Sequence, residues 1–248
     1  MCPVRAVVFD FGNTLATVVR DWDEIIAEGA AAMEAFLRKN GMEKLPANFP
    51  ARWMDARKFA AQKSAREMEE HKAEDTLAFL LQFVGYPKAD CALLTRAVEV
   101  FFQPEVAAYR PHPDAVATLR ALHEQGYRLA VLSNATHDPL VQNLVDSLGF
   151  RPYLDVVVTS AAIEYRKPRP EAFNAVLDRW DIPGYEAVMV GDTVPEDIRG
   201  AQDVGMWAIL ANMTPNPQNE PFANLFVPDA TVTCLSEVIP IITEWDTA

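Results

Sequence analysis

Four short polar segments in this 248-residue chain each follow an apolar run, and each carries side chains able to do chemistry. They are Asp10-Phe11-Gly12-Asn13-Thr14-Leu15, Ser133-Asn134, Lys167-Pro168, and Gly191-Asp192-Thr193 with Glu196 and Asp197 just beyond. In an open parallel sheet, ligands bind outside the carboxyl ends of the strands, so these places can converge on one pocket although they lie far apart in sequence. Two strand-end carboxylates, a hydroxyl and a lysine suit metal-assisted attack on a phosphoryl group. That reaction needs a nucleophilic or metal-binding oxygen, a divalent cation to neutralise charge, and donors for the equatorial oxygens. Asp10 and Asp192 offer hard oxygen ligands of the kind Mg²⁺ takes, while Thr14, Ser133 and Lys167 offer donors.

These residues need a scaffold, and the pattern of apolar residues implies one. Val4 to Phe9 is nearly all apolar and β-branched, as a strand buried on both faces requires. Arg128–Leu132, Val156–Thr159, Ala187–Val190 and Trp207–Leu210 resemble it, with a last strand near Ala230–Thr233. Between them run helical patterns: Val116, Leu119 and Leu122 ending at Gly126; Leu140, Leu144, Val145 and Leu148 ending at Gly149; and Phe173, Val176, Leu177 and Trp180. Alternation of this kind predicts a doubly wound α/β domain with a parallel sheet.

From about residue 17 to residue 109 the strand signal vanishes. Ile25, Ile26, Ala30, Met33 and Leu37, then Leu77, Leu80, Leu81 and Val84, then Leu93, Leu94, Val98 and Phe101 recur at helical spacing. This predicts an inserted helical bundle, with Trp22, Trp53, Phe59 and Phe101 filling it or its seam with the core. The charged stretch from Arg52 to Lys72 reads as a helix with a wide solvated face. Residues 211–229, rich in Asn, Pro and Gln, read as loop.

Composition narrows the partners. With 22 Lys+Arg against 35 Asp+Glu the net charge is −13, which repels nucleic acid and anionic membrane surfaces. The expected partner is a small phosphorylated molecule. Cys2, Cys91 and Cys234 form no metal-binding spacing and read as buried or incidental thiols. No apolar run approaches the roughly 18 residues of a membrane span, so a cytoplasmic protein, monomer or homodimer, is expected.

The four motifs in this order resemble those of the haloacid dehalogenase superfamily, and the resemblance runs over nearly the whole chain. It implies a Rossmann-like α/β core from residues 1–16 and 110–248 and an α-helical cap inserted over 17–109. It also implies a covalent mechanism in which Asp10 attacks phosphorus and water hydrolyses the aspartyl-phosphate. By the same resemblance Mg²⁺ would be held by Asp10, Asp192, Asp197 and the backbone carbonyl of Gly12. Thr14, Ser133 and Asn134 would surround the phosphoryl group or fix its loop, and Lys167 would bridge nucleophile and phosphate. Asp197 is preferred over Glu196 by spacing, since neighbours on a helix do not both face one pocket.

One position departs from the pattern. Phosphatases of this family usually carry a second aspartate two residues after the nucleophile to protonate the leaving oxygen, and here that residue is Gly12. Loss of such a group typically costs about 10²- to 10⁴-fold in rate, so substrates with good leaving groups are favoured. His112 and His137 are candidate substitutes, against the ordinary reading of a solvated histidine. Phosphonate hydrolysis would need a cap lysine, for which Lys39, Lys58, Lys63 and Lys72 are candidates; dehalogenation is disfavoured by Gly191-Asp192. Outside catalysis, the missing acid suits a metabolite- or protein-binding descendant.

Overall fold

The computed structural model describes residues 3–247, so Cys2 lies outside the described residues. A six-stranded parallel sheet forms the core, in the order β5-β4-β1-β6-β7-β8, with β1 Ala6–Phe9, β4 Arg128–Ser133, β5 Val156–Thr159, β6 Ala187–Gly191, β7 Trp207–Ala211 and β8 Ala230–Val232. The centre is formed by β1 between β4 and β6, with Val8 in register with Ala130 on one side and Met189 on the other. Every residue of β1 and β6 is buried, which is why both read as continuous apolar runs. The strand order reverses at this centre, and there the carboxyl ends of β1, β4 and β6 open a crevice.

Helices cover both faces. On one side lie α5 (Ala115–Glu124), α6 (Asp138–Ser147) and α10 (Val238–Thr247), and on the other α8 (Pro170–Trp180) and the short α9 (Arg199–Asp203). A further short helix, α7 (Ser160–Ile163), follows β5. In α8, Phe173, Val176, Leu177 and Trp180 are buried at helical spacing against Val8, Leu132 and Met189 of the sheet.

The insertion is a four-helix cap: α1 (Trp22–Lys39), α2 (Phe49–Glu67), α3 (Ala73–Phe83) and α4 (Cys91–Ala108). Asp21 caps α1 by accepting from the Glu24 N–H at 3.1 Å. α1 and α4 pack closely because Gly29 has no side chain; a Cβ there would run into the carbonyl of Phe101. Trp53 and Phe101 are buried and meet edge to face at 5.5 Å. The expected core role fails for Phe59 and Trp22, which are 66% and 46% exposed, because α2 buries only Phe49, Trp53 and Ser64 and Trp22 opens α1.

A second difference lies at the root of the cap. β2 (Ala16–Val18) and β3 (Tyr109–Pro111) pair antiparallel, Thr17 opposite Arg110, where the sequence showed no strand signal. At three residues each, they are too short for a visible alternation. The loop between α2 and α3 ties the cap to the core a second time. There Glu70 N–H donates to the Glu164 carbonyl at 2.7 Å and Arg166 N–H to that of Met68 at 3.2 Å. The buried Glu70 carboxylate accepts from Arg166 and Ser160, both at 2.5 Å.

Candidate active site

The four motifs meet at the carboxyl ends of β1, β4 and β6. Asp10 leaves β1 with its N–H donating to Val190 of β6 at 2.8 Å. The following loop is tight: Asn13 adopts φ 55° and bonds Ala16, and the N–H groups of Leu15 and Ala16 both return to the Phe11 carbonyl. Thr14 is fully buried inside this turn, its hydroxyl has no hydrogen-bond partner, and it does not line the cavity above.

Lys167 sits beneath the site, buried, and donates to Asp10 Oδ1 at 2.6 Å, Asp197 Oδ1 at 2.6 Å and the Leu132 carbonyl at 2.8 Å. An ammonium has three N–H bonds, and all three are used. Burial works against its charge, but Asp10 and Asp197 outweigh it and hold the lysine above its usual pKa. Its backbone is held too: Lys167 N–H donates to Asn134 Oδ1 at 2.9 Å, and Asn134 Nδ2 donates back to the Lys167 carbonyl and to Glu196 Oε2. Asn134 is thereby a clamp between three segments. The Ser133 hydroxyl, by contrast, lines the cavity and makes no hydrogen bond among the described residues.

Asp192 and Asp197 follow β6. Asp197 lies in a single π-helical turn, Val194–Ile198, and its Oδ2 accepts from Thr193 N–H at 3.0 Å. Gly191 makes room for it, since a Cβ at that position would collide with the Asp197 carboxylate. Burial pushes Asp197 upward, opposed by Lys167. Asp192 is likewise raised by burial and by Asp10, and is steadied by Asn216 at 3.0 Å and Thr193 at 3.2 Å. Asn219 accepts from Val194 N–H and donates to the Asp192 carbonyl. Glu196 and Asp197 both line the cavity, contrary to the expectation for neighbours on a helix, because a π turn is wider than an α turn.

Asp10, Asp192 and Asp197 each turn a carboxylate oxygen to within 4.8 Å of the others. Three hard oxygen donors at one point fit a divalent cation.

Above this floor is a cavity of about 360 Å³ roofed by the cap. Its far wall carries Arg57 of α2, Phe102 and Glu105 of α4, and Tyr109 of β3, with Leu140, Val141 and Leu144 of α6 to one side. None of Lys39, Lys58, Lys63 or Lys72 lines it; Lys63 pairs with Glu67 and Lys72 with Glu164. The two histidines lie elsewhere as well. His112 contacts the Asn13 carbonyl at 3.3 Å. His137 is buried, not solvated, meeting Glu74 of the cap at 2.7 Å and stacking on Phe102 at 5.4 Å.

Sequence reasoning missed Asn216 and Asn219, hidden in a segment read as loop that contains a 3₁₀ turn at Pro217–Phe222. It missed Arg57, which falls within the stretch read as a solvated face. It also missed Glu105, although a signal was present: Leu94, Val98 and Phe101 form an apolar stripe, and Glu105 is its next member at i+4.

Comparison with known proteins bears on the fold and the family. A glyceraldehyde 3-phosphate phosphatase of Methanothermobacter thermautotrophicus is 36% identical over 120 residues, covering 48% of this chain and 53% of the relative, so the chain spans about half the length of that curated relative. A phosphoglycolate phosphatase of Rhodospirillum rubrum is 28% identical over 221 residues, covering 89% and 84%. A 2-haloacid dehalogenase from Pseudomonas syringae pv. Tomato DC3000 shares the fold with a TM-score of 0.71 at 24% identity, covering 98% of this chain and 99% of that one. Residues 4–205 match the haloacid dehalogenase-like hydrolase family over most of the chain, and the protein belongs to that family.

Proposed function

We propose that this protein is a Mg²⁺-dependent phosphatase acting on a small phosphorylated metabolite through an aspartyl-phosphate on Asp10. The observation that carries the reading is the convergence of Asp10, Lys167, Asp192 and Asp197 beneath a half-open cavity that also presents the free Ser133 hydroxyl. The names of the curated relatives support a small phosphate ester as the substrate.

In this reading a carboxylate oxygen of Asp10 forms a bond to phosphorus as the bond to the ester oxygen breaks, and water then cleaves the acyl phosphate. Lys167 holds Asp10 in place through a 2.6 Å hydrogen bond, and Asn134 holds Lys167. Ser133 donates to a phosphoryl oxygen, and Thr14, buried in the turn, fixes the loop. Asp10, Asp192 and the Gly12 carbonyl would ligate the cation, with Asp197 orienting the group because its two oxygens already accept from Lys167 and Thr193. Bound there, Mg²⁺ would neutralise the charge of the phosphoryl group and Asp10 as they approach. The cap roofs the cavity, and closure over a bound substrate would exclude water.

The experiment is phosphate release from a panel of sugar phosphates, three-carbon and two-carbon phosphates and acyl phosphates, with and without Mg²⁺, against Asp10→Asn. Release that needs both Mg²⁺ and Asp10 is the expected outcome. Release indifferent to Asp10 would exclude the mechanism.

A further inference from the structure

The floor of the cavity contains an attacking group but no side chain at position 12 to give a proton to the departing oxygen. Displacement at phosphorus is in line, so an ester attacked by Asp10 from the floor sends its leaving oxygen toward the roof. The proton donor is therefore to be sought on the cap.

Three polar groups line the roof, and none has a hydrogen bond among the described residues. The guanidinium of Arg57 lies over the rings of Phe101, Phe102 and Trp53 at 4.6, 5.3 and 6.0 Å, with no ion pair within 4 Å. The Glu105 carboxylate, one turn beyond Phe101, faces the same space without a donor. The Tyr109 hydroxyl is 3.8 Å from where a Cβ of residue 12 would stand, so it fills part of the space that a longer side chain there would take. These half-buried groups have no protein partner and face one cavity, so a ligand that enters it finds polar groups free to bond to it.

We propose that Glu105, carried by the cap, is the proton donor to the leaving oxygen and then the acceptor of the proton from the attacking water, a role that rests on the phosphatase reading above. The steps balance. In the first, the Asp10 oxygen bonds to phosphorus, the ester bond breaks, and the Glu105 proton passes to the leaving oxygen, giving the free alcohol. In the second, water bonds to phosphorus and gives its proton to the Glu105 carboxylate, the bond to Asp10 breaks, and phosphate leaves with both carboxyl groups restored.

The surroundings suit the task. Burial raises the Glu105 carboxyl to about 7, opposed by Arg57, which places it near the pH at which an acid and base by turns is most effective. The other ionisable or charged groups that line this cavity are Asp10, Arg57, Tyr109, Arg166, Glu196 and Asp197. Of the carboxylates, Asp10 and Asp197 are bound to Lys167 and Glu196 to Asn134 on the floor side. Glu105 lines the cavity from the cap without a hydrogen bond, with Arg57 as the charged neighbour that acts on it.

The test compares the natural chain with Glu105→Gln and Glu105→Asp on p-nitrophenyl phosphate, whose leaving group needs no proton, and on glycerol 3-phosphate, whose leaving group does. Asp10→Asn is the background. The expected result is a loss of about 10²- to 10⁴-fold in kcat/KM, which reports the step that expels the leaving group, on glycerol 3-phosphate for Glu105→Gln and less than about threefold in kcat/KM on p-nitrophenyl phosphate, with partial recovery in Glu105→Asp. The fall of kcat/KM above pH 7 expected of the natural chain should also be lost in Glu105→Gln, whereas the ionisation of the substrate phosphate is common to both. Equal losses of kcat/KM on the two esters, no loss on either, or an unchanged pH profile would overturn the assignment of Glu105 while leaving the phosphatase reading intact. A natural chain that cleaves only the nitrophenyl ester would overturn it too. Absence of Asp10-dependent release from both esters would overturn the phosphatase reading together with this proposal.

Discussion

The floor and the roof of the cavity treat buried charge in opposite ways. On the floor, Lys167 spends all three protons on Asp10, Asp197 and the Leu132 carbonyl, and Asp197 accepts a second bond from Thr193. On the roof, Arg57, Glu105 and Tyr109 are at least half-buried yet have no hydrogen-bond partners. The floor comes from the ends of central strands, where backbone and side chains can be fixed together, and it suits the part of the reaction common to every phosphate ester. The roof comes from an inserted bundle and leaves its polar groups to the substrate, which suits the part that differs between esters. Common chemistry is pre-organised, and specific chemistry waits for its ligand.

The sharpest way to break this contrast is at the nucleophile. Asp10→Asn should lower phosphate release by at least about 10⁴-fold, the scale on which loss of a catalytic nucleophile acts, while a roof substitution should cost less and depend on the leaving group. A malachite-green assay of both proteins on one panel checks this. Lys167→Met should abolish activity too, but by a different route. It leaves Asp10 and Asp197 buried without their cation, a change that typically destabilises by about 3–5 kcal/mol. A urea midpoint that does not move would show that the floor is not held by this network.

The same contrast explains what could be read from the chain alone. Asp10, Ser133 and Asp192 lie at or just beyond the ends of uninterrupted apolar strands and so announce themselves by position, whereas Lys167 stands further on, past α7, and the use of Gly191 in admitting Asp197 shows only in the fold. Roof residues sit on helices whose facing cannot be fixed without knowing what they pack against. Arg57 looks like one more charge on a solvated helix, and only the close approach of α1 and α4 at Gly29 shows which way the face of Phe101 and Glu105 is turned. His137 fails for the same reason: its partner Glu74 is 63 residues away, on the cap. Short pairings such as β2 with β3 leave no period at all.

A subtler probe is the charge next to Glu105. Arg57 opposes the burial that raises the Glu105 carboxyl, so Arg57→Met should raise it further. If Glu105 must be protonated to act as acid, the high-pH limb of kcat/KM then moves to higher pH, by about one unit for the loss of a nearby opposite charge. A limb that moves to lower pH, or stays, would detach Arg57 from Glu105.

The smallest effect concerns stability and separates roof from floor by sign. A carboxyl whose pKa is about 7 when folded and 4.5 when free binds its proton more tightly in the folded chain. Its contribution to stability is therefore fully present below about pH 4.5 and is lost as the pH rises through about 7, because above that the folded protein carries an ionised, poorly solvated carboxylate. Glu105→Gln removes that burden while keeping the shape. The variant should match the natural chain near pH 4 and exceed it by about 1–3 kcal/mol near pH 8, read as the difference in urea midpoints at the two pH values. Lys167→Met has the opposite sign, since on the floor the removed charge was already answered. A Glu105→Gln chain less stable at pH 8 than the natural one would mean that the carboxylate is held by Arg57 as firmly as Asp10 is held by Lys167, and the distinction between roof and floor would fall with it.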